Sequence, residues 1–174
     1  MGEAAGMREM QSEALLDHAA CLNVLVRYGR AIDWLDRPAL ERVFWPDAAI
    51  DLGYFKGTGA DAPGFLVPHA ASMRRRCHIT ANTVLDVAGD EARADSCALT
   101  FSVVEGADGA CSAHRFTGRY LDRLSRRAGE WRLAARLYLL HSAIMEPYAG
   151  DPDVPGLANT DGMSPTHPYF GSPV

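Results

Sequence analysis

One carboxylate and one histidine are the pair in this sequence best suited to do chemistry. Asp33 lies in segment 28–36, on the stripe of a predicted helix where Leu22, Val26 and other apolar residues recur every three or four positions. A buried carboxylate needs a hydrogen-bonding partner because its desolvation is costly. His78, in segment 76–80, is a suitable partner. From spacing alone, the alternative that Asp33 lies in water at a frayed helix end stays open.

The alternation of side chains along the predicted strands indicates further candidate residues for the same site. If His78 faces inward, Asn82 and Val84 share its side, and His114, Phe116 and Gly118 share one face of a later strand. An inward Arg136 would require a negative partner or an anionic substrate, because an unpaired buried cation is costly. Periodicity does not decide which face of the last strand is inside: one face carries Arg136, Tyr138, Leu140 and Ser142, and the other carries Leu137, Leu139 and His141.

Length, composition and charge restrict the class of protein. The 174 residues are 48% hydrophobic and 22% charged, which suits one globular domain. A net charge of −5 disfavours nucleic-acid binding, and no run of about 18 apolar residues is present to span a membrane. The first eleven residues lack the pattern of a signal peptide, so a cytoplasmic location is expected. The four cysteines show no zinc-ligand spacing, and we expect no metal.

The order of predicted elements indicates an α+β fold. Residues 1–10 are expected to be disordered, residues 11–146 to form one domain, and residues 147–174, rich in proline and glycine, to form an extended tail. Consecutive long hairpins predict a curled antiparallel sheet, cone-shaped and covered by three N-terminal helices. The predicted helices are 12–34, 38–44 and 61–75, and the predicted strands are 48–52, 54–56, 78–87, 92–104, 110–124 and 131–145.

Several short motifs, taken in order, resemble a known family. They are Tyr28 with Ala31-Ile32-Asp33, then Asp36, Leu40, Phe44, Asp47-Ala48, Gly57, His78 and Asn82, and finally Gly129-Glu130-Trp131-Arg132-Leu133. This pattern resembles SnoaL-like proteins of the nuclear-transport-factor-2-like superfamily over residues 15–145. Within it, the chain is similar to scytalone dehydratase, hexachlorocyclohexane dehydrochlorinase and bile-acid 7α-dehydratase, which use a histidine–aspartate dyad for elimination without a cofactor.

The resemblance implies roles for individual residues. Asp33 corresponds to the acid of the dyad and His78 to its base, and Tyr28 resembles a pocket tyrosine. Arg136 matches a pocket arginine, which supports the inward assignment of its face, and His114 falls close to a second histidine. The sequence departs from the dehydrochlorinase at two positions, where Tyr28 replaces a lysine and Arg76 replaces a cysteine, so dehydrochlorination is disfavoured.

The chemistry expected of such a site is the removal of a proton next to an electron-withdrawing group. A neutral imidazole, with an ordinary pKa of about 6.5, suits this task. Tyr28 or Tyr54 would donate a hydrogen bond to the substrate, and Arg136 or His114 would stabilise the developing oxyanion. The expected pocket wall is mostly apolar, so the predicted substrate is a hydrophobic ring compound, with no cofactor. The remaining residues expected to line the pocket are Ile50, Leu99, Phe101, Phe116, Tyr138 and Leu140.

Two alternatives remain beside the lyase. The first is an isomerase or polyketide cyclase of the same fold, in which a carboxylate acts on the substrate directly. The second is a non-catalytic module that binds a small molecule or docks to another subunit. In each case the resemblance and the open sheet predict a homo-oligomer, either a trimer or a dimer.

Overall fold

Three helices and six strands make up the part of the chain that the structure describes. The computed structural model describes residues 2–150 and 163–167, with side chains from residue 12 onward. The elements are α1 (Gly2–Asp33), α2 (Arg37–Glu41), β1 (Phe44–Asp51), β2 (Lys56–Thr58), α3 (Ala62–Ala71), β3 (Arg75–Ala88), β4 (Glu91–Glu105), β5 (Cys111–Arg127) and β6 (Glu130–Pro147). The predicted α+β architecture with three helices is confirmed. Residues 151–162 and 168–174 of the predicted tail lie outside the described residues.

The first helix is longer than predicted. It begins at Gly2 rather than at Ser12, so helix replaces the disorder expected for residues 2–10. This segment is rich in alanine, glutamate, methionine and arginine, which are strong helix formers and extend a helix once it is nucleated. No helix among the described residues is long and apolar enough to cross a membrane.

The buried side of α1 also differs from the predicted stripe. Val26 was expected to face the core, but 63% of its surface is exposed. The buried residues instead follow the spacing of Cys21, Leu25, Tyr28 and Ile32, which keeps within one face of a 3.6-residue helix. They belong to a single apolar core with buried residues of β1, β4, β5 and β6, and Leu85 and Val87 of β3 pack against this core.

The six strands form one curled sheet in the order β2-β1-β6-β5-β4-β3. Strands β3 to β6 pair as consecutive antiparallel hairpins, as predicted. The expectation that the whole sheet is antiparallel is wrong, because β1 pairs with β6 in parallel, with Ile50 opposite Arg136. The long chain between these two strands, through α3 and the four strands β2 to β5, permits this crossover.

Register irregularities set which side chains face the helices. They lie between Ala81 and Val84, between Thr117 and Gly118, and between Arg123 and Leu124. Each bends its strand and shifts the alternation of side chains beyond it. We call the side of the sheet that contacts α1 the inner face. By register it carries His78 and Thr80 of β3; Ala94, Ser96, Ala98 and Thr100 of β4; His114, Phe116, Gly118, Tyr120 and Asp122 of β5; and Arg136, Tyr138 and Leu140 of β6.

Candidate active site

The end of α1 places Asp33 at the sheet. The helix stops there because Leu35 adopts a left-handed conformation with φ of 55°, and the Asp36 N–H returns to the Ala31 carbonyl at 2.8 Å. The Asp33 carbonyl, which has no partner within the helix, accepts a hydrogen bond from Arg76 Nε at 2.8 Å. The helix end is therefore held in place, and the Asp33 side chain with it.

The Asp33 carboxylate makes two hydrogen bonds to His78. Its Oδ1 lies 2.6 Å from His78 Nδ1, and its Oδ2 accepts the His78 backbone N–H at 2.9 Å. Strand β3 is at the edge of the sheet, so this N–H has no partner among the described strands and is available to the carboxylate. Asp33 is 9% exposed, and the hydrogen bonds offset the cost of its burial. The frayed-end alternative is therefore wrong, since the acid is buried and paired.

The bond to Nδ1 leaves the other ring nitrogen of His78 available. A carboxylate at Nδ1 favours the neutral tautomer with its proton there, so that Nε2 carries a free lone pair. Nε2 makes no hydrogen bond to any described residue, and the His78 side chain is 16% exposed. Gly29 lies directly beneath, where a Cβ would come within 3.2 Å of the His78 Cβ. The absence of a side chain at Gly29 lets α1 approach closely enough for Asp33 to reach the ring.

A buried ion pair lies on the same inner face. Arg136 donates from Nε to Asp122 Oδ1 at 2.7 Å and from Nη2 to Asp122 Oδ2 at 2.8 Å, and neither side chain is accessible to solvent. The two residues are directly opposite each other on β5 and β6. Burial, the largest single effect, lowers the pKa of Arg136, but the charge and hydrogen bonds of Asp122, together with Tyr120 and Tyr28, outweigh it, so the pKa lies above the ordinary value. The inward position predicted for Arg136 agrees with this placement, and its negative partner is Asp122 rather than Asp33.

Two tyrosine rings enclose the guanidinium group. The Arg136 Cζ lies 4.2 Å from the ring centre of Tyr28 and 4.1 Å from that of Tyr120. The Tyr28 ring also meets the His78 ring edge to face, with centroids 6.3 Å apart. Burial raises the pKa of Tyr28, so its hydroxyl remains a neutral donor at neutral pH. Tyr28 thus contacts both the histidine and the arginine.

Two buried polar atoms in this region have no partner among the described residues. They are Nη1 of Arg136 and Oη of Tyr138. Tyr138 lies two residues after Arg136 on β6 and packs against Tyr120 at 5.5 Å between centroids. Because buried polar atoms are nearly always hydrogen-bonded, two free donors on one inner face indicate where an oxygen of a bound molecule would be held.

Two residues predicted to contact the substrate, Tyr54 and His114, remain accessible to solvent. Tyr54 is 56% exposed, and its ring packs on that of His69 with centroids 5.1 Å apart. His114 lies on the inner face and bonds Ser112 Oγ through Nε2 at 2.8 Å. The predicted wall residues Phe116 and Leu140 also lie on the inner face, and Ile50 is buried on β1 opposite Arg136.

Two predicted wall residues lie on the opposite side of the sheet. Leu99 and Phe101 alternate with Thr100, which is directly opposite His78, so both point away from the helices. The inner positions of β4 are instead small, at Ala94, Ser96 and Ala98, which allows α1 to approach the sheet. The predictions for Val84 and Ser142 are wrong for a different reason: they follow register irregularities, and their pairing with Asp95 and Thr117 places them on the outside.

Sequence reasoning missed three residues of the site. Asp122 and Tyr120 continue the alternation of His114, Phe116 and Gly118, and extending that pattern along β5 would have found them. Arg76 was expected to lie between the third predicted helix and the following strand, without a role in the site, but it lies on β3. There it donates to the carbonyls of Asp33, Ala70, Met73 and Met163 at 2.8 to 3.5 Å.

Gly118 gives a test of how tightly the inner face is packed. A Cβ there would lie 2.4 Å from the Leu139 carbonyl and 2.6 Å from the Tyr138 hydroxyl. We expect Gly118→Ala to lower the free energy of unfolding by about 1–3 kcal/mol, measured by urea denaturation, because backbone has to move. Gly64→Ala is the matched control, since its Cβ meets nothing within 4 Å and alanine favours the helix. Equal stability of the two variants would contradict the packing described.

The described residues contain no group of three or more histidine, cysteine, aspartate or glutamate side chains placed to hold a metal ion. The polar groups of the site are instead the imidazoles of His78 and His114, the carboxylates of Asp33 and Asp122, the guanidinium groups of Arg76 and Arg136, and several phenols. Such a set can move protons and stabilise negative charge on oxygen.

The curled sheet with its helices on the inner face defines the nuclear-transport-factor-2-like class of fold. A solved protein of that class from Novosphingobium aromaticivorans has a TM-score of 0.60 and 21% identity, with 76% of this chain and 86% of that chain covered. The SnoaL-like domain family matches residues 13–137, and the chain belongs to that family. None of the curated proteins matches the chain by sequence.

Two further solved structures are similar to the chain. A putative scytalone dehydratase from Novosphingobium aromaticivorans DSM 12444 has a TM-score of 0.68 and 18% identity, covering 86% of this chain and 99% of that chain. The hexachlorocyclohexane dehydrochlorinase LinA-type3 from Novosphingobium barchaimii LL02 has a TM-score of 0.67 and 18% identity, covering 83% and 99% respectively. At these identities the likeness establishes a shared fold.

Proposed function

We propose that the chain is a cofactor-independent lyase that catalyses a dehydratase-type elimination on a mostly hydrophobic cyclic small molecule. The observation that carries the proposal is the carboxylate of Asp33, bound to both the backbone N–H and the ring Nδ1 of His78. Binding alone does not require a paired acid and base. Membership of the SnoaL-like family and the fold shared with a putative scytalone dehydratase support the same reaction class.

In the proposed reaction, His78 Nε2 removes a proton from a carbon next to an electron-withdrawing group. The electron pair of that C–H bond becomes the new C=C bond while the C–O bond to the leaving hydroxyl breaks. The imidazolium passes its proton to the departing hydroxide, which leaves as water, and the neutral base is regenerated. Asp33 fixes the tautomer and stabilises the imidazolium while it exists, as the aspartate of a catalytic triad does.

The free donors of Arg136 and Tyr138 are proposed to bind the substrate oxygen that gains negative charge. Nη1 of Arg136 is buried, is fixed in direction by Asp122, and has no partner within the part of the chain that the structure describes. Preorganised donors of this kind stabilise a developing oxyanion because they need not reorient during the reaction. Tyr28, which contacts both Arg136 and His78, would complete the polar side of the site. His114 and Tyr54 would also contact the substrate.

The contacts of Asp33 also bear on the alternative enzyme. An isomerase or cyclase that uses a carboxylate as its base needs that carboxylate free to meet the substrate. Both oxygens of Asp33 are engaged with His78, which favours elimination with the histidine as base. As part of the same proposal, the enzyme acts in the cytoplasm and forms a homo-oligomer.

The test is a search for turnover with the full chain and no added cofactor. The probes are cyclic β-hydroxy ketones of steroid, polyketide and aromatic type. The expected result is loss of water, detected by mass spectrometry, together with absorbance of the conjugated product. Binding of these ketones without turnover of any of them would contradict the proposal and favour the non-catalytic module.

A further inference from the structure

A guanidinium group at the start of β3 binds backbone carbonyls from three separate parts of the chain. Arg76 Nε donates to the Asp33 carbonyl at 2.8 Å. Its Nη1 donates to the carbonyls of Ala70 and Met73 at 3.5 and 3.4 Å, and its Nη2 donates to the Met163 carbonyl at 3.2 Å. Because all three nitrogens of this side chain are engaged with backbone, it is placed to hold chain segments together rather than to bind a substrate.

The shortest of these bonds acts on the residue that carries the acid of the dyad. Asp33 is the last residue of α1, where carbonyls have no partner within the helix. Arg76 and His78 lie two residues apart on one face of β3. Arg76 binds the Asp33 carbonyl, and His78 binds the two carboxylate oxygens. Three hydrogen bonds from one strand therefore fix the orientation of Asp33, and loss of the bond to its carbonyl would free the residue to turn away from the ring.

The remaining carbonyls hold the guanidinium group itself. Ala70 lies in the last turn of α3 and Met73 lies just beyond that helix, where unpaired carbonyls and the helix dipole favour a cation. Met163 belongs to the C-terminal segment 163–167. The end of α3 and this segment therefore both direct Arg76 toward the end of α1.

We propose that Arg76 is a positioning residue of the dyad, which holds the end of α1 so that the Asp33 carboxylate stays directed at His78. It acts through the backbone and touches neither the substrate nor the ring of the base. Its effect on turnover rests on the proposed lyase function, whereas its effect on the geometry of the dyad does not. Both effects are therefore measured separately.

The Arg76 Nε–H proton gives a test on the unmodified full chain. Because this proton is bonded to a carbonyl at a half-buried site, its exchange with water is expected to be at least about tenfold slower than that of the Arg37 Nε–H proton. Arg37 is the matched control, since its Nε donates to Glu41 in an exposed pair. NMR of the arginine side-chain protons measures both rates. Equal rates would overturn the proposal.

Arg76→Lys separates positioning from charge. Burial lowers the pKa of Arg76 and the charge of Asp33 opposes this effect, so the two charges act on each other. A lysine keeps the positive charge, but its compact ammonium group does not reproduce the planar fork that reaches several carbonyls at once. If charge alone were sufficient, the lysine variant would behave like the wild type.

Amide hydrogen exchange of the His78 backbone N–H reports the effect of Arg76→Lys on the dyad. This exchange is expected to accelerate by at least about tenfold relative to the amides of β5, which correct for any change in global stability. Arg75→Lys is the matched control, because alternation places Arg75 on the opposite face of β3, and it is expected to leave the ratio unchanged. A ratio in Arg76→Lys equal to that of the wild type would contradict a positioning role.

Steady-state kinetics connect the geometry of the dyad to the proposed reaction. For a cyclic β-hydroxy ketone that the wild type dehydrates, Arg76→Lys is expected to lower kcat by about tenfold or more and to leave KM unchanged. A raised KM with an unchanged kcat would instead make Arg76 a substrate-binding residue and refute the proposal. If the wild type dehydrates no such ketone, the lyase function fails, and the two exchange measurements still decide the role of Arg76.

Discussion

Replacement of His78 with alanine is expected to lower kcat by about 10²–10⁴-fold on any cyclic β-hydroxy ketone that the wild type dehydrates. This is the contribution typical of a positioned general base. The substrate is still expected to bind, because the donors of Arg136 and Tyr138 are untouched. Steady-state kinetics and a direct binding titration of the same ketone separate the two effects. Turnover of the variant at the wild-type rate would show that His78 is not the catalytic base.

Asp33→Asn tests whether the acid acts through the histidine. An asparagine still accepts the backbone N–H of His78, but it no longer favours a proton on Nδ1 or stabilises the imidazolium. We expect a loss of kcat similar to that of the His78 variant and little change in fold. Asp36→Asn is the matched control: Asp36 caps α2 through the Ala39 N–H, a role that asparagine fills equally well. If Asp33→Asn retains as much activity as Asp36→Asn, the hydrogen bond between Asp33 and His78 is not needed for turnover.

Asp122→Asn is expected to produce the largest loss of stability from a single substitution. It leaves the guanidinium of Arg136 buried between two rings without its counter-charge. Removing one partner of a buried pair typically costs about 3–5 kcal/mol. The loss is measured as the difference in free energy of unfolding between the wild type and the variant, obtained from urea denaturation.

Two comparisons isolate the effect of burial. The double variant Asp122→Leu with Arg136→Met is expected to recover most of the loss, since an apolar pair leaves no buried charge. Asp47→Asn removes the acid of the exposed pair with Arg127 and is expected to leave stability unchanged. A double variant as unstable as Asp122→Asn would show that the loss comes from altered packing rather than from an uncompensated charge.

The sequence predicts the long elements of this fold well. Four long alternating strands joined by short turns leave little choice but consecutive hairpins, and the last of these turns has positive φ at Ala128 and Gly129. The parallel pairing of β1 with β6 was not predicted, because a contact between segments far apart in the chain leaves no local pattern. The start of α1 was also missed, since propensity alone gives no sharp boundary in a segment made mostly of strong helix formers.

The geometry of the candidate site was predicted in part, and the errors in that prediction come from tertiary contacts. The positions of Asp33 and His78 follow from a helix end and a strand start. Leu99 was placed in the pocket because large apolar residues are expected inside, yet α1 approaches so closely that β4 presents small residues there. The pairing of Asp122 with Arg136 depends on the register between β5 and β6, which is shifted by an irregularity. Alternation along a single strand carries no information about that register.

Nitrogen NMR of the histidine side chains at neutral pH tests the central claim most directly, without any substrate. The two hydrogen bonds from Asp33 predict that the His78 ring carries its proton on Nδ1 and has a bare Nε2. They further predict that this preference is lost in Asp33→Asn. A proton found on Nε2 instead, or a ring whose tautomer is the same in both proteins, would contradict the account.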